Sequence, residues 1–318
     1  MVSELAVDNA AEWLRRHGLP SDHARFTELG GGISNKVILA EAPDFRAVLK
    51  QSLGQLRTQQ GWFSDRDRIF REAAAMRWNA PAGRVPRVLF EDRETFTIAM
   101  EAAPRGAEMW KTQLFRGEVR IETARAAGLA LGSMISASWN NADAERTFGD
   151  QTVFDQLRID PYYRFTAERR PEAADYIHNL MAQSAARRVS LVHGDYSPKN
   201  LLVHGDSVWV IDWEVAHFGD PAFDIGFLLN HLLMKTIALP HHAAKIAGLA
   251  DAFLAALSPE GASVIPAAFE HLPALLLARV DGKSPAEYLD TAMRRRAASL
   301  ALDLMRKPAG SFGEVMAR

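Results

Sequence analysis

Hydrophobic residues in the first hundred positions fall into short runs rich in β-branched and aromatic side chains. Segments 26–29, 36–41 and 46–51 read as strands, separated by Gly30-Gly31-Gly32 and by Pro43-Asp44. Segment 65–79 changes period. Ile69, Phe70, Ala73 and Met76 recur at three- and four-residue spacing, which predicts a helix. Two more strands, 87–91 and 95–101, meet at the turn-like Asp92-Arg93, and Pro104 and Gly106 close the block. A short helix over 4–17 precedes it, with Leu5, Trp13 and Leu14 available for one face and Gly18 as its stop.

Beyond 106 the pattern is mainly helical, with helices expected at 118–138, 172–187, 222–237, 241–257, 264–279 and 285–306. One β insert interrupts them. Segments 191–192, 201–203 and 208–211 read as strands, and His204-Gly205-Asp206 turns between the last two. The expected class is α/β in the α+β sense. A small β-rich lobe over 1–103 precedes a large helical lobe over 104–318.

Composition narrows the function classes. The chain has 318 residues, 48% of them hydrophobic, enough for a large core without staples. Cysteine is absent, which excludes disulfides, thiol catalysis and cysteine-ligated metal. The 37 basic and 39 acidic residues leave a net −2, and the two signs are balanced in both lobes. That balance opposes a nucleic-acid role. Glu4, Asp8 and Glu12 make the N-terminus unlike a signal peptide, and no uncharged apolar stretch of 18 residues stands out. The expectation is a cytoplasmic protein, monomer or homodimer, with neither membrane nor nucleic acid as partner.

The densest chemistry lies in His193-Gly194-Asp195-Tyr196-Ser197-Pro198-Lys199-Asn200, followed by Val210-Ile211-Asp212-Trp213-Glu214. In a phosphoryl-transfer site Asp195 would accept a hydrogen bond from the attacking group and orient it. Asn200 and Asp212 would offer the hard oxygens that Mg²⁺ prefers. His204-Gly205-Asp206 repeats the tripeptide but has no asparagine five residues past its aspartate, so it is a turn only.

This pattern resembles the aminoglycoside phosphotransferase and choline kinase branch of the kinase-like superfamily. Gly219-Asp220-Pro221-Ala222-Phe223-Asp224 is similar to a further segment of that family, in which the later aspartate braces the catalytic loop. Ser197 departs from the lysine of protein serine/threonine kinases, and Trp213 replaces their phenylalanine after the metal-binding aspartate. The resemblance implies a protein-kinase-like two-lobed fold that uses ATP and Mg²⁺ to phosphorylate a hydroxyl of a small-molecule acceptor. It implies that Gly30, Gly31, Gly32, Ser34 and Asn35 approach the phosphates. Lys50, ending Ala47-Val48-Leu49, would grip the α- and β-phosphates, and Glu72 would pair with it. Backbone at Glu101 and Ala103 would meet the adenine edge. Asp195 is then the catalytic residue, with Asn200 and Asp212 the metal ligands.

Only twelve residues separate Asp212 from Asp224, which leaves little platform for a peptide substrate. A nucleotide-binding scaffold without turnover is the competing reading, opposed by the intact set of five. Glu214, His217 and Asp281 are candidates for acceptor contacts. A polycationic acceptor would ask for an acidic helical lobe, and the net charge there is only −2.

Overall fold

The computed structural model describes residues 4–30, 34–55 and 64–318. They fall into two compact units. One runs to Arg105 and includes Asp212–Val215; the other comprises Gly106–Ile211 and Ala216–Arg318.

The first unit is an antiparallel five-stranded sheet of order β1-β2-β3-β5-β4. Its strands are β1 (Arg25–Glu28), β2 (Asn35–Ala42), β3 (Phe45–Ser52), β4 (Val88–Asp92) and β5 (Thr97–Glu101). Alternation along β2 and β3 sends Ile38, Ala40 and Leu49 to one face. Trp13 and Leu14 of the helix Ala10–Arg16 cover that face, with Leu5 beside them. The helix is shorter than the expected 4–17, because the chain before it is tied elsewhere. The Leu5 N–H donates to Gln51 Oε1 at 2.8 Å, and the Ala6 N–H donates to Asn9 Oδ1 at 2.9 Å. The helix Arg68–Asn79 crosses between β3 and β4 in sequence.

The second unit holds the long helices Ile121–Ser138, Pro171–Ala186, Ala222–Ala238, Ala243–Ala255, Ile265–Asp281 and Thr291–Arg306. Ala222–Ala238 packs along Ile265–Asp281 as the central pair. Ile121–Ser138 lies so close to Ala243–Ala255 that a Cβ on Gly128 would stand 2.3 Å from the Phe253 carbonyl oxygen. The helix expected from 285 begins at Thr291. Asp290 caps it by accepting from the Met293 N–H at 2.8 Å, while the Ala286 N–H is held by the Arg279 carbonyl.

Five short strands complete this unit: β6 (Glu108–Met109), β7 (Ser190–Val192), β8 (Leu201–His204), β9 (Ser207–Val210) and β10 (His217–Gly219). β8 and β9 form the expected hairpin, with Gly205 at φ 59° in its turn. β7 pairs with β10, which the sequence pattern did not announce. Nor did it announce the π-helical stretch Asp155–Arg164, which contains Pro161. No single helix among the described residues is long and apolar enough to cross a membrane.

Candidate active site

In the first unit Lys50 sits on β3 between Val37 of β2 and Ile98 of β5. The strand pleat puts it on the face opposite Leu49. Its Nζ donates to Glu72 Oε2 and to Asp212 Oδ1, each at 2.6 Å. Burial pulls the Lys50 ammonium down, but the carboxylates of Asp212, Glu72 and Glu214 outweigh it and raise it, so it is an ammonium ion. Glu72 is pushed up by burial more than Lys50 pulls it down. Its Oε1 has no hydrogen-bond partner among the described residues. Asp212 adopts φ 68°, a left-handed conformation that costs a side-chain-bearing residue about 1 kcal/mol.

A second cluster lies in the same unit. Glu214 Oε1 accepts from Ser34 Oγ at 2.8 Å, and Oε2 accepts from Asn35 Nδ2 at 2.8 Å and Arg68 Nε at 3.1 Å. The Ser34 and Asn35 side chains, expected at the phosphates, are thus committed to Glu214. Gly30 is exposed, with room for a Cβ, whereas Gly31 and Gly32 lie outside the described residues. At the strand end the Glu101 N–H donates to the Arg87 carbonyl at 2.9 Å, and the Ala103 carbonyl accepts from Arg46 Nη1 at 2.5 Å.

In the second unit the loop after β7 carries Asp195 and Asn200. Asp224, in the first turn of Ala222–Ala238, braces it. Its Oδ2 accepts the His193 N–H at 2.6 Å and its Oδ1 the Gly194 N–H at 2.9 Å. Burial outweighs these two bonds and pushes the Asp224 carboxyl up to about 7. Gly194 sits at φ 77°, where a side chain would be strained. His193 Nδ1 accepts the Asp195 N–H at 3.1 Å, which puts the ring proton on Nε2, facing the Ile211 carbonyl at 3.1 Å.

Asp195 Oδ2 collects three donors. Lys199 Nζ stands at 2.7 Å, Asn200 Nδ2 at 2.9 Å and Arg158 Nη2 at 3.0 Å. Asn200 Nδ2 also donates to the Asp195 carbonyl, so the oxygen Oδ1 is the end of that amide available to a cation. The hairpin register Leu201↔Val210 and the Ile211 N–H to Asn200 carbonyl bond of 3.0 Å fix where the chain leaves for Asp212. An amide oxygen on Asn200 and a carboxylate on Asp212 are the hard donors that suit Mg²⁺. No cluster of three or more His, Asp or Glu that could hold a metal occurs among the described residues.

The structure therefore joins Lys50, Glu72 and Asp212 in one cluster and Asp195 with Asn200 in another. A model of the phosphotransferase enzyme family (APH) matches residues 25–257. The chain belongs to this family. Methylthioribose kinase of Escherichia coli O45:K1 is 27% identical over 256 residues, covering 70% of this chain and 60% of that protein. Methylthioribose kinase 2 of Oryza sativa is 25% identical, over 70% of this chain and 59% of its own. The chain thus spans about three fifths of the length of these relatives. Among solved structures, an amicoumacin kinase in complex with AMP-PNP and Ca²⁺ superposes with a TM-score of 0.59 at 12% identity, covering 91% of each chain. A choline/ethanolamine kinase family protein from Mesorhizobium loti gives 0.53 at 19%, over 98% of this chain and 99% of its own. The fold is kinase-like.

The three acceptor candidates each have partners of their own in the structure. Glu214 is buried under Ser34, Asn35 and Arg68. His217 is buried and stacks on Phe154 with ring centres 3.9 Å apart. Asp281 pairs with Arg170 at 2.5 Å. Sequence reasoning missed Arg158 and Lys199. Arg158 reaches the loop from the π-helical stretch, with no motif to mark it, whereas Lys199, four residues past Asp195, was within view.

Proposed function

We propose that this chain transfers the γ-phosphoryl group of ATP to a hydroxyl of a small molecule. The observation that carries the reading is the buried Lys50 ammonium shared by Glu72 and Asp212, in a member of a phosphotransferase family. Lys50 grips the α- and β-phosphates, and Glu72 keeps its ammonium in place. Gly30, Gly31, Gly32, Ser34 and Asn35 offer backbone N–H groups to the phosphates, and backbone at Glu101 and Ala103 serves the adenine edge. Asp195 accepts a hydrogen bond from the acceptor hydroxyl, and the donors on its Oδ2 hold that carboxylate in one orientation. Asn200 and Asp212 hold Mg²⁺, which when bound neutralises phosphate charge. Positioning and charge neutralisation supply most of the rate, as phosphoryl transfer demands.

The relatives' names set the first acceptors to screen, methylthioribose and choline, while their partial coverage leaves the acceptor open. The test is calorimetric titration of AMP-PNP with and without Mg²⁺, beside ADP release on that panel. Wild type binds the analogue in a Mg²⁺-dependent way, and Asp212→Asn weakens it about tenfold or more. Asp195→Asn binds normally yet loses roughly 10²–10⁴ in turnover. A folded wild type that binds no analogue at millimolar concentration refutes the reading.

A further inference from the structure

Three cations of the second unit, Lys111, Lys235 and Arg279, have no acidic partner among the described residues. Lys235, on the Ala222–Ala238 helix, is only 1% exposed. Its ammonium donates to the His231 carbonyl at 3.3 Å and stands 5.6 and 5.7 Å from the ring centres of Phe115 and Tyr288. Arg279 lies 5.9 Å over the ring of Tyr162 and donates to that hydroxyl at 3.2 Å and to Ser284 Oγ at 2.8 Å. Its Nε is buried and has no hydrogen-bond partner among the described residues. Lys111 is exposed, and its backbone N–H donates to the Pro198 carbonyl of the catalytic loop at 2.8 Å. Among the described residues no carboxylate forms an ion pair with Lys111, Lys235 or Arg279.

Geometry ties this cluster to the catalytic aspartate. The Tyr162 ring that carries Arg279 also lies 5.8 Å from the guanidinium carbon of Arg158, whose Nη2 holds Asp195 Oδ2 at 3.0 Å. Phe227 connects the other end, 5.8 Å from the Tyr162 ring and 4.9 Å from His231. Electrostatics agree. Burial, then Lys111 and Arg279, lower Lys235 to about 7. Burial, then Lys235, Arg279, Lys199 and Lys111, push His231 well below its ordinary value.

A buried cation without an acid partner destabilises a fold, and proteins keep such groups where a ligand completes them. The buried Arg279 Nε–H without a partner among the described residues has the same explanation. We propose that the acceptor alcohol carries an anionic group, a carboxylate or a phosphate, seated against Lys235, Arg279 and Lys111 while Asp195 receives its hydroxyl. This rests on the phosphotransferase reading above and narrows it. The lobe's net −2 gave no sign of it, because a net charge does not show which charges are paired, and several acids are engaged with other cations. Asp155 pairs with Arg164, Asp160 with Lys283 and Glu108 with Arg116.

Four probes with the same hydroxyl frame test the proposal: glycerate, glycerol 3-phosphate, glycerol and 3-amino-1,2-propanediol. Each is titrated by calorimetry against protein saturated with AMP-PNP and Mg²⁺, and each is assayed with ATP for ADP release. One or both anions bind at least about tenfold tighter than the neutral and cationic probes, the order expected of a charge-assisted contact. Which anion wins separates carboxylate from phosphate. Lys235→Met and Arg279→Gln each reduce anion affinity about tenfold or more while AMP-PNP affinity is retained, which shows that both variants fold. No anion binding at tens of millimolar, equal binding of the cationic probe, or a preference unchanged in both variants overturns the proposal. Charge-selective anion binding by a folded protein that binds no AMP-PNP at millimolar concentration sinks the phosphotransferase reading and leaves the anion site standing.

Discussion

Truncating Glu214 separates a structural role from a substrate role at one position. The Glu214 carboxylate takes three donors, Ser34 Oγ, Asn35 Nδ2 and Arg68 Nε, and the Arg68 side chain is wholly inaccessible. Glu214→Ala leaves the Arg68 charge buried without its acid, a loss of about 3–5 kcal/mol in comparable buried pairs. Two neutral donors are orphaned as well, at about 1 kcal/mol each. Arg68 retains the carbonyls of Ser34, Leu53, Ser64 and Asp65 at 2.6, 2.8, 3.2 and 2.8 Å, which places the sum at the low end. The expected loss is about 5 kcal/mol, or roughly 10–20 °C in Tm at about 2–4 °C per kcal/mol. Thermal unfolding followed by circular dichroism measures it. Arg68→Met combined with Glu214→Leu should recover most of the loss, because the pair is then replaced by apolar volume. A Glu214→Ala protein that melts within 2 °C of wild type, yet has lost acceptor turnover, would refute the structural assignment and return Glu214 to the substrate.

Three other outcomes follow from the same geometry. Lys50→Met weakens AMP-PNP binding about 10- to 100-fold by calorimetry. In wild type, stability falls as pH rises from about 4.5 to about 7, because the buried Glu72 holds a proton that the unfolded chain has released, and without the Lys50 ammonium the fall is larger. In wild type, Lys235 titrates near 7 folded and 10.5 unfolded, so the unfolded state holds the extra proton between these values and stability rises with pH there, by at most about 1.4 kcal/mol per pH unit. Melting curves from pH 7 to 9.5 should show that rise in wild type relative to Lys235→Met, and parallel profiles would contradict it. Gly128→Ala forces a methyl against the Phe253 carbonyl and Ala256, and chemical denaturation should register a loss of about 1–3 kcal/mol.

The sheet and the main helices were legible because their signals are local. A β-rich run ends at Pro104, and helix periods recur from 118 onward. That Lys50 meets Glu72 and Asp212, and Asp195 meets Asn200, was legible because their order and spacing are fixed by strands, a helix and one hairpin. Arg158 was not, since its approach to Asp195 depends on a π-helical path through Pro161 that no period describes. The Glu214–Arg68 pairing was not legible either, because adjacency to Asp212 suggested shared chemistry while Arg68 lies 146 residues away. The cluster around Lys235 was hidden for another reason. Net charge averages over a lobe, and a site depends on which charges lack a partner.

Those lapses share a physical cause. A sequence read by local rules favours the choices that stabilise a fold, and this chain breaks them at a few points. Asp212 takes a left-handed backbone that glycine would adopt without strain. Asp224 is fully buried on two backbone N–H groups, Glu72 keeps an oxygen without a partner among the described residues, and Lys235 is buried among cations. Each arrangement is unfavourable taken alone, and each sits in or beside the two clusters that carry the proposed chemistry. Selection for stability alone would favour methionine at position 235, and a buried cation there fits the anion proposed for the acceptor. Asp212 differs, because its charge already holds the buried Lys50 ammonium at 2.6 Å.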